Sequence, residues 1–395
     1  MELKRIAILT LGAGAGHLRA SHAIHQALHD GADDLDARTI DVLDLAKPWF
    51  HRLYVRPYWW MVQHAPWAWR KVVEWRQRTQ HQATAPDWVF RRGCQEVLSR
   101  LRAFRPHLVI ATEVGAAELA ALGRREGWFN APILAAQTDF HTQLPWVKSE
   151  IDVYCVGSDE AKHQLLSWGV SSNRIFTCGV SIDPAFTLKF DRAELRRALG
   201  LDARRPVVLV MGGGMGPAPL DAIVRSLEVC RQPIQVIVVA GRNRTLLPRL
   251  EALRRQIALD LHIYGWTDTI PELMGAASVL ITKPGGVTTS EAMAAGVPTI
   301  LTCPIPGTEE QHLRLLVHQE VALAASQPEE IPVLVSRLLQ SPEECERLIR
   351  RAREMARPDA AYAVAQVARA LLEKATFIDL LAAPSPSTGD SAYVM

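Results

Sequence analysis

The feature that most constrains the fold is a pattern that occurs twice along the chain: a short apolar strand, a glycine-rich loop and a helix. The first copy runs through residues 6–11, 12–16 and 20–29, and the second through residues 206–211, 212–216 and 219–229. Glycine allows a tight turn and lets a ligand reach the amides at a helix N-terminus. The repetition predicts two α/β units, each with a ligand crevice at the carboxyl ends of its strands.

Apolar runs without strict alternation, separated by helical segments, indicate parallel sheets covered on both faces. We expect further strands at 37–43, 108–112, 133–137 and 153–156, and at 235–240, 261–264, 279–282 and 299–302. The predicted fold is therefore α/β with two facing Rossmann-like domains, at 1–185 and 186–355. A helix at 356–381 is expected to pack back on the first domain. The Ser-, Pro- and Gly-rich residues 382–395 are expected to be a disordered tail.

A dinucleotide-binding loop is the obvious alternative for both glycine runs. Its G-x-G-x-x-G pattern needs a third glycine, but His17 and Pro217 occupy those positions. An NAD-dependent oxidoreductase is therefore disfavoured. His17 instead stands at the mouth of the first crevice, where an imidazole can act as a general base. A helix-capping or solvated histidine is the alternative at this position.

The stretch TKPGGVTTSEAMAAGVP at 282–298 predicts an anion site. Gly285 and Gly286 form a turn before a helix that we expect to begin near Thr288. The first-turn amides of such a helix suit a pyrophosphate. Glu291, expected in that first turn, can accept two hydrogen bonds from a ribose. A capping-box role would explain Glu291 but not the paired glycines.

These residues, with PIPGTEEQ at 304–311, resemble the donor site of glycosyltransferases of the GT-B fold. The branch is that of monogalactosyldiacylglycerol synthases and processive diacylglycerol glucosyltransferases, with the lipid II-forming N-acetylglucosaminyltransferase more distantly related. Further matches are GAGHLRAS at 14–21, QTDF at 137–140 with Trp146, GVSIDP at 179–184, GRN at 241–243 and GWTDTIPELM at 265–274. The matches extend over nearly the whole chain.

The resemblance implies a role for each motif. His17 would be the base beside the acceptor hydroxyl, and Gly14, Gly16, Asp139 and His141 would belong to the acceptor and phosphate loops. Glycolipid members carry a histidine five residues after the aspartate, where this chain has Leu144, so His141 is expected either to replace it or to mark a different acceptor. The donor site would comprise the uracil-binding Trp266, Thr267 and Ile270; Glu291 for the ribose; Gly212, Gly213, Gly214, Gly285, Gly286, Thr288 and Thr289 for the diphosphate; Gly241 and Asn243; and Glu309, Glu310 and Gln311 for the sugar hydroxyls.

A basic, tryptophan-rich segment lies in the first half of the first domain. Residues 45–92 hold nine Lys and Arg against two Asp and Glu, and 49–88 hold seven of the eleven tryptophans. Trp favours the membrane–water interface and Lys and Arg attract anionic headgroups. The segment is too charged to span a bilayer, so interfacial amphipathic helices are predicted. A core role for the tryptophans and nucleic-acid binding are less favoured. The residues expected at the membrane are Trp59, Trp60, Trp67, Arg70, Lys71 and Trp75.

The function expected from these features is inverting transfer of a hexose from a UDP-sugar to a diacylglycerol-type lipid. The resemblance implies no bound metal or other cofactor. The six cysteines include no C-x-x-C pair, and the N-terminus has no signal-peptide pattern. A cytoplasmic protein bound peripherally to the inner face of the cell membrane is expected, with UDP-sugar, acceptor lipid and an anionic membrane surface as partners, and no nucleic acid. The alternatives are a UDP-sugar 2-epimerase, a transferase for another lipid-linked or isoprenoid acceptor, and a binding protein without catalysis.

Overall fold

A computed structural model describes residues 3–30, 34–79, 82–188, 190–214 and 218–373. The amino-terminal half holds a six-stranded parallel sheet in the order β2-β1-β3-β4-β5-β6. Its elements are β1 (Lys4–Thr10), α1 (Ala15–His29), β2 (Leu35–Asp41), α2 (Val42–Leu45), α3 (Pro48–Phe50), α4 (Arg56–His64), α5 (Pro66–Thr79), α6 (Asp87–Gly93), α7 (Gln95–Phe104), β3 (Leu108–Ala111), α8 (Val114–Arg125), β4 (Ile133–Ala136), β5 (Val153–Val156), α9 (Asp159–Ser167) and β6 (Ile175–Thr177).

The carboxy-terminal half holds a second six-stranded parallel sheet, in the order β12-β11-β10-β7-β8-β9. Its elements are α10 (Arg192–Ala198), β7 (Val207–Met211), α11 (Leu220–Ser226), β8 (Gln235–Val239), α12 (Leu246–Arg254), β9 (Asp260–Tyr264), α13 (Ile270–Ala276), β10 (Val279–Thr282), α14 (Gly286–Ala295), β11 (Thr299–Leu301), α15 (Thr308–His318), β12 (Leu323–Ala324), α16 (Ile331–Gln340), α17 (Pro342–Met355) and α18 (Ala360–Glu373).

Both sheets confirm the predicted α/β architecture. Every residue of β3, β4, β7 and β8 is buried, as expected for parallel strands covered by helices on both faces. The strands β6 and β12 were not predicted, because runs of three and two residues carry too little apolar pattern to distinguish them from loops.

Three predicted helix boundaries were wrong. Helix α1 begins at Ala15 rather than near residue 20, because Gly14 already adopts the extended N-cap conformation. Helix α14 begins at Gly286 rather than near Thr288, so Glu291 lies in its second turn and is not a capping-box residue. The helix expected at 219–229 ends at Ser226, and a 3₁₀ turn continues to Val229.

The carboxy-terminal helix α18 packs on the amino-terminal sheet rather than on its own half. Its apolar face shares one core cluster with Ile24 and Leu28 of α1 and with β1. At the rim of that core, Arg369 donates a hydrogen bond of 2.7 Å to the Leu28 carbonyl, and the Tyr362 hydroxyl donates one of 2.7 Å to Asp30. Residues 374–381 of the predicted final helix and the tail predicted at 382–395 lie outside the described residues.

Two consecutive helices, α4 and α5, pack against each other in the amino-terminal half. Proline at position 66 separates them, since its ring cannot continue the turn that ends at His64. A π-helical turn at His51–Val55 leads into α4. Within the described part of the chain, no helix is both long and apolar enough to cross a membrane.

Candidate active site

The two glycine loops face each other across a cleft between the sheets. A Cβ on Gly214 would collide with Ala15, and one on Gly286 would collide with the Thr138 carbonyl. These contacts allow only glycine, because backbone from one half lies directly against the other half. A cavity of about 540 Å³ opens beside them, which is the size of a small-molecule site. Residues 215–217 of the second loop lie outside the described residues.

His17 lies in the first turn of α1, half-buried, at this cavity. Its Nδ1 is 3.2 Å from the Thr112 carbonyl oxygen and 2.9 Å from the Thr138 hydroxyl. Since a carbonyl can only accept, the contact with Thr112 favours the tautomer with the proton on Nδ1 and a free lone pair on Nε2. Burial lowers the pKa of His17, and the nearby Asp139 carboxylate opposes that effect. A neutral imidazole of this kind can accept a proton near pH 7.

Three further charged groups surround His17. Burial raises the pKa of Asp139 to about 6, against the opposing charge of His17. The Lys283 ammonium forms an ion pair with Glu309, whose other carboxylate oxygen accepts a 2.9 Å hydrogen bond from the Ile305 amide. Two acidic and two basic groups therefore converge where the halves meet.

Glu291 lies deeper in the cavity, on α14, and its side chain is almost fully buried. Burial raises the pKa of this carboxyl to about 7, and the charge of Arg19 partly offsets the rise. Its Oε1 has no hydrogen-bond partner in the protein. A buried carboxylate oxygen without a partner is energetically costly, so its position is suited to a ligand hydroxyl.

An indole between two guanidinium groups forms the wall near Glu291. Arg19, from the amino-terminal half, lies 5.2 Å from the Trp266 ring centroid, and Arg242 lies 4.2 Å from it. Arg19 also donates a 2.8 Å hydrogen bond to the Thr267 carbonyl. Trp266, Thr267 and Ile270 all line the cavity, which places the predicted uracil-binding segment at its edge.

The predicted diphosphate residues lie at the turn into α14 and in the facing loop. Gly213 and Gly241 adopt φ values of +76° and +62°, a region that favours glycine. Thr288 lines the cavity, whereas the Thr289 hydroxyl donates a 2.8 Å hydrogen bond to the Gly285 carbonyl inside the helix. Of the predicted diphosphate residues, the cavity lining includes Gly213, Gly214, Gly285, Gly286 and Thr288 but not Gly212 or Thr289; Gly14, Gly16 and Gly241, predicted for other parts of the site, also line it.

Some predicted site residues are engaged elsewhere. Glu310 forms an ion pair with Arg70 of α5 and accepts a hydrogen bond from the Gly307 amide, so it does not line the cavity. Gln311 and Asn243 are also absent from the cavity lining. His141 stacks on His312 with ring centroids 5.9 Å apart, outside the lining, and burial lowers its pKa to about 4.

The tryptophan-rich segment has two structural roles. Trp59 and Trp69 line the cavity, and Trp49 stacks on Trp88 at 6.2 Å beside the amino-terminal core. The remaining tryptophans and a lysine face outward, with the Lys71 ammonium 5.4 Å from the Trp67 ring. The exposed fractions are 59% for Trp60, 65% for Trp67 and 52% for Trp75.

Four cavity or interface residues had no assigned role in the sequence analysis: Arg19, Lys283, Glu113 and His312. Glu113 caps α8 through the Gly115 and Ala116 amides, and burial raises its pKa to about 7. Fully buried His312 accepts a 3.1 Å hydrogen bond from the Phe140 amide, and its Nδ1 is 3.0 Å from the Pro284 carbonyl. His312 therefore connects α15 to the loop at Phe140 and to the turn at Pro284. Lys283 lies in the motif at 282–298, whose glycines alone indicated an anion site, and His312 directly follows the predicted Gln311.

No group of three or more His, Cys, Asp or Glu side chains suited to a metal ion occurs among the residues that the structure describes.

Two family models match the chain in succession. The model of monogalactosyldiacylglycerol (MGDG) synthase matches residues 17–182, and that of glycosyl transferases group 1 matches residues 191–355. The monogalactosyldiacylglycerol synthase of Spinacia oleracea is 28% identical over 95% of this chain and 74% of its own length. The processive diacylglycerol beta-glucosyltransferase of Bacillus pumilus is 31% identical over 54% of this chain and 56% of its own length.

Solved structures with the same fold belong to more than one class of enzyme. Acinetobacter baumannii MurG superposes with a TM-score of 0.60 at 14% identity, covering 93% of this chain and 99% of MurG. The UDP-GlcNAc 2-epimerase of Neisseria meningitidis superposes with a TM-score of 0.58 at 13% identity, covering 94% and 100%. The fold alone therefore does not separate a transferase from an epimerase.

Proposed function

Because the chain is a GT-B hexosyltransferase that joins a monogalactosyldiacylglycerol synthase domain to a glycosyl transferases group 1 domain, we propose its substrates and mechanism. The donor is a UDP-sugar, the acceptor is the free hydroxyl of a diacylglycerol-type lipid, and the anomeric carbon is inverted. The names of the relatives from spinach and Bacillus pumilus support this choice of acceptor.

The observation that carries the proposal is one cleft with a histidine on one wall and, on the other, a helix N-terminus and a buried carboxylate oxygen without a partner. His17 presents an unprotonated Nε2 from the amino-terminal half. Opposite it, the α14 N-terminus and the unpartnered Oε1 of Glu291 suit a diphosphate and a ribose. The sugar then lies between them, within reach of both.

In the proposed reaction, His17 Nε2 accepts the proton of the lipid hydroxyl as that oxygen attacks the anomeric carbon. The bond from this carbon to the diphosphate oxygen breaks, and its electron pair leaves with UDP. The Asp139 carboxylate stabilises the imidazolium that forms, since the two groups interact favourably in the free protein. The amides at the start of α14 stabilise the departing diphosphate, and no step uses a bound metal.

The exposed face of α4 and α5 is proposed to bind the anionic inner face of the cell membrane. Trp60, Trp67 and Trp75 would enter the interface while Lys71 contacts headgroups, and Trp59 and Trp69 would guide the lipid into the cavity. Arg70, predicted at the membrane, pairs with Glu310 instead, so it does not carry this proposal.

The activity test incubates the protein with UDP-glucose, UDP-galactose or UDP-N-acetylglucosamine and diacylglycerol-containing vesicles, with products identified by mass. A hexosyl-diacylglycerol is expected from at least one donor. Replacing His17 with Ala should lower turnover by at least 100-fold with UDP affinity retained. The matched control is His29→Ala, an exposed histidine at the far end of the same helix. Conversion of UDP-N-acetylglucosamine to its 2-epimer without lipid would overturn the proposal in favour of the epimerase.

Membrane binding is tested by sedimentation with vesicles of phosphatidylglycerol and phosphatidylcholine. Replacing Trp60, Trp67 and Trp75 together with Ser should lower the bound fraction at least tenfold, because three interfacial indoles are removed. The control replaces exposed Trp168, at the end of α9 and outside the tryptophan-rich segment, with Ser. Equal binding by the triple variant and the wild type would refute this membrane surface.

A further inference from the structure

Lys283 is a partly buried cation in the cleft that the proposed reaction has not used. It directly follows β10, at the carboxyl end of the strand, and precedes the turn into α14. Its side chain is 16% exposed, and that of its partner Glu309 is 12% exposed. Because this ion pair is sheltered from water, its attraction is only weakly screened. Replacing Glu309 by another anion therefore changes the interaction energy of Lys283 substantially.

Two glycines leave the space that the end of the Lys283 side chain occupies. A Cβ on Gly213 would lie 2.6 Å from Lys283 Cε, and a Cβ on Gly285 would lie 3.0 Å from Nζ. A side chain at either position would therefore crowd the end of the lysine. Its charge lies between the loop after β7 and the turn before α14, which are the two backbone segments suited to a diphosphate.

The other cations that line the cavity are directed elsewhere. Arg19 binds the Thr267 carbonyl beside Trp266, at the nucleoside end. Arg76, on α5, donates a 3.2 Å hydrogen bond to the Thr84 carbonyl. Lys283 is the lining cation whose charge also reaches His17 and Asp139, where the sugar is transferred.

We propose that Lys283 is a catalytic residue that binds the β-phosphate of the sugar nucleotide and that this binding exchanges its partner, releasing Glu309 to accept hydrogen bonds from the hexose hydroxyls. The inference rests on the proposed UDP-sugar donor. When the bond from the anomeric carbon to the β-phosphate oxygen breaks, the electron pair stays on that oxygen. The Lys283 ammonium neutralises the added charge, and the lipid proton goes to His17, so charge and atoms balance.

The test compares uridine, UMP and UDP binding to the full chain by calorimetry. Lys283→Met, of similar length without charge, should weaken UDP by about 10- to 100-fold, the value of a hydrogen bond to a charged group. Uridine and UMP should change by less than threefold, because they lack the β-phosphate. Lys283→Arg should recover most of the UDP affinity. Retained uridine affinity shows that each variant is folded.

A second variant addresses the exchange of partners. Glu309→Gln removes the competing carboxylate, so UDP affinity should stay equal or rise while the KM for the intact UDP-sugar rises. Equal weakening of uridine, UMP and UDP in Lys283→Met, or unchanged UDP affinity, would overturn the assignment of Lys283. Failure of the wild type to bind UDP would instead overturn the proposed donor itself, and the two failures are thus distinct.

Discussion

Lowering the pH from 8 to 6 should weaken uridine binding about tenfold, through Glu291. The pKa of this carboxyl is about 7 in the free protein, so roughly nine tenths of the molecules are ionised at pH 8 and one tenth at pH 6. In the proposed complex the ribose hydroxyls donate to the carboxylate, which lowers the pKa of the bound form. Binding therefore favours ionised Glu291, and the affinity falls as the pH falls through 7, by about 1.3 kcal/mol.

Calorimetry with uridine at pH 8, 7 and 6 measures this effect without a titrating phosphate. The matched ligand is 2′,3′-dideoxyuridine, which lacks both donating hydroxyls and should bind with nearly constant affinity. The matched variant is Glu291→Gln, which should bind uridine weakly and without pH dependence. If dideoxyuridine shows the same tenfold change, or the change persists in Glu291→Gln, another group such as Asp139 is responsible and the ribose assignment is refuted.

The remaining predictions concern the contacts between the halves. Gly286→Ala should lower turnover at least tenfold, since its methyl group would collide with the Thr138 carbonyl across the cleft; wild-type turnover of this variant in steady-state kinetics at saturating donor would contradict the prediction. The pKa of His312 lies near 4, below its ordinary value, because burial disfavours the charged ring. The stability that neutral His312 contributes to the fold is therefore fully present above pH 6.5 and is lost as the pH falls towards 4. Urea unfolding should therefore show the stability gap between wild type and His312→Asn narrowing by about 2 kcal/mol from pH 7 to pH 5. Glu310→Gln should tighten binding to anionic vesicles by up to about fivefold, because it frees the charge of Arg70, and flotation assays with neutral vesicles should show no change.

The amino-acid pattern predicted the fold well because its signals are local. Ten of the strands follow continuous apolar runs, and the paired glycines mark the ends of β1, β7 and β10. Where the pattern was weak, prediction failed: β6 and β12, with three and two residues, are held by pairing with the neighbouring strand of the sheet. The start of α14 was misplaced for a related reason, since Gly286 looks like a loop residue yet adopts helical structure.

The sequence patterns indicated several of the residues that line the cavity, but not which side chains form ion pairs or hydrogen bonds with each other. Trp266, Glu291 and His17 line one cavity, as their motifs indicated, because each follows a strand end. Glu310 was predicted to contact the sugar hydroxyls, and Arg70 was predicted to lie at the membrane. Their side chains form an ion pair with each other, although 240 positions separate them in the chain. Spacing along a sequence carries no record of such a contact. His312 was overlooked for the same reason, since both of its hydrogen bonds reach loops far from α15.

The chain passes between its halves twice, and the two passages touch. Gly179, with φ at +93°, lies on the outgoing passage, and a Cβ there would be 3.1 Å from the Cβ of Ala360, on the return to the first sheet. The two crossings thus tie the halves together at a single place, and Gly179 and Ala360 do not line the cavity. The placement of His17 opposite Lys283 therefore depends in part on a joint that lies outside the cavity.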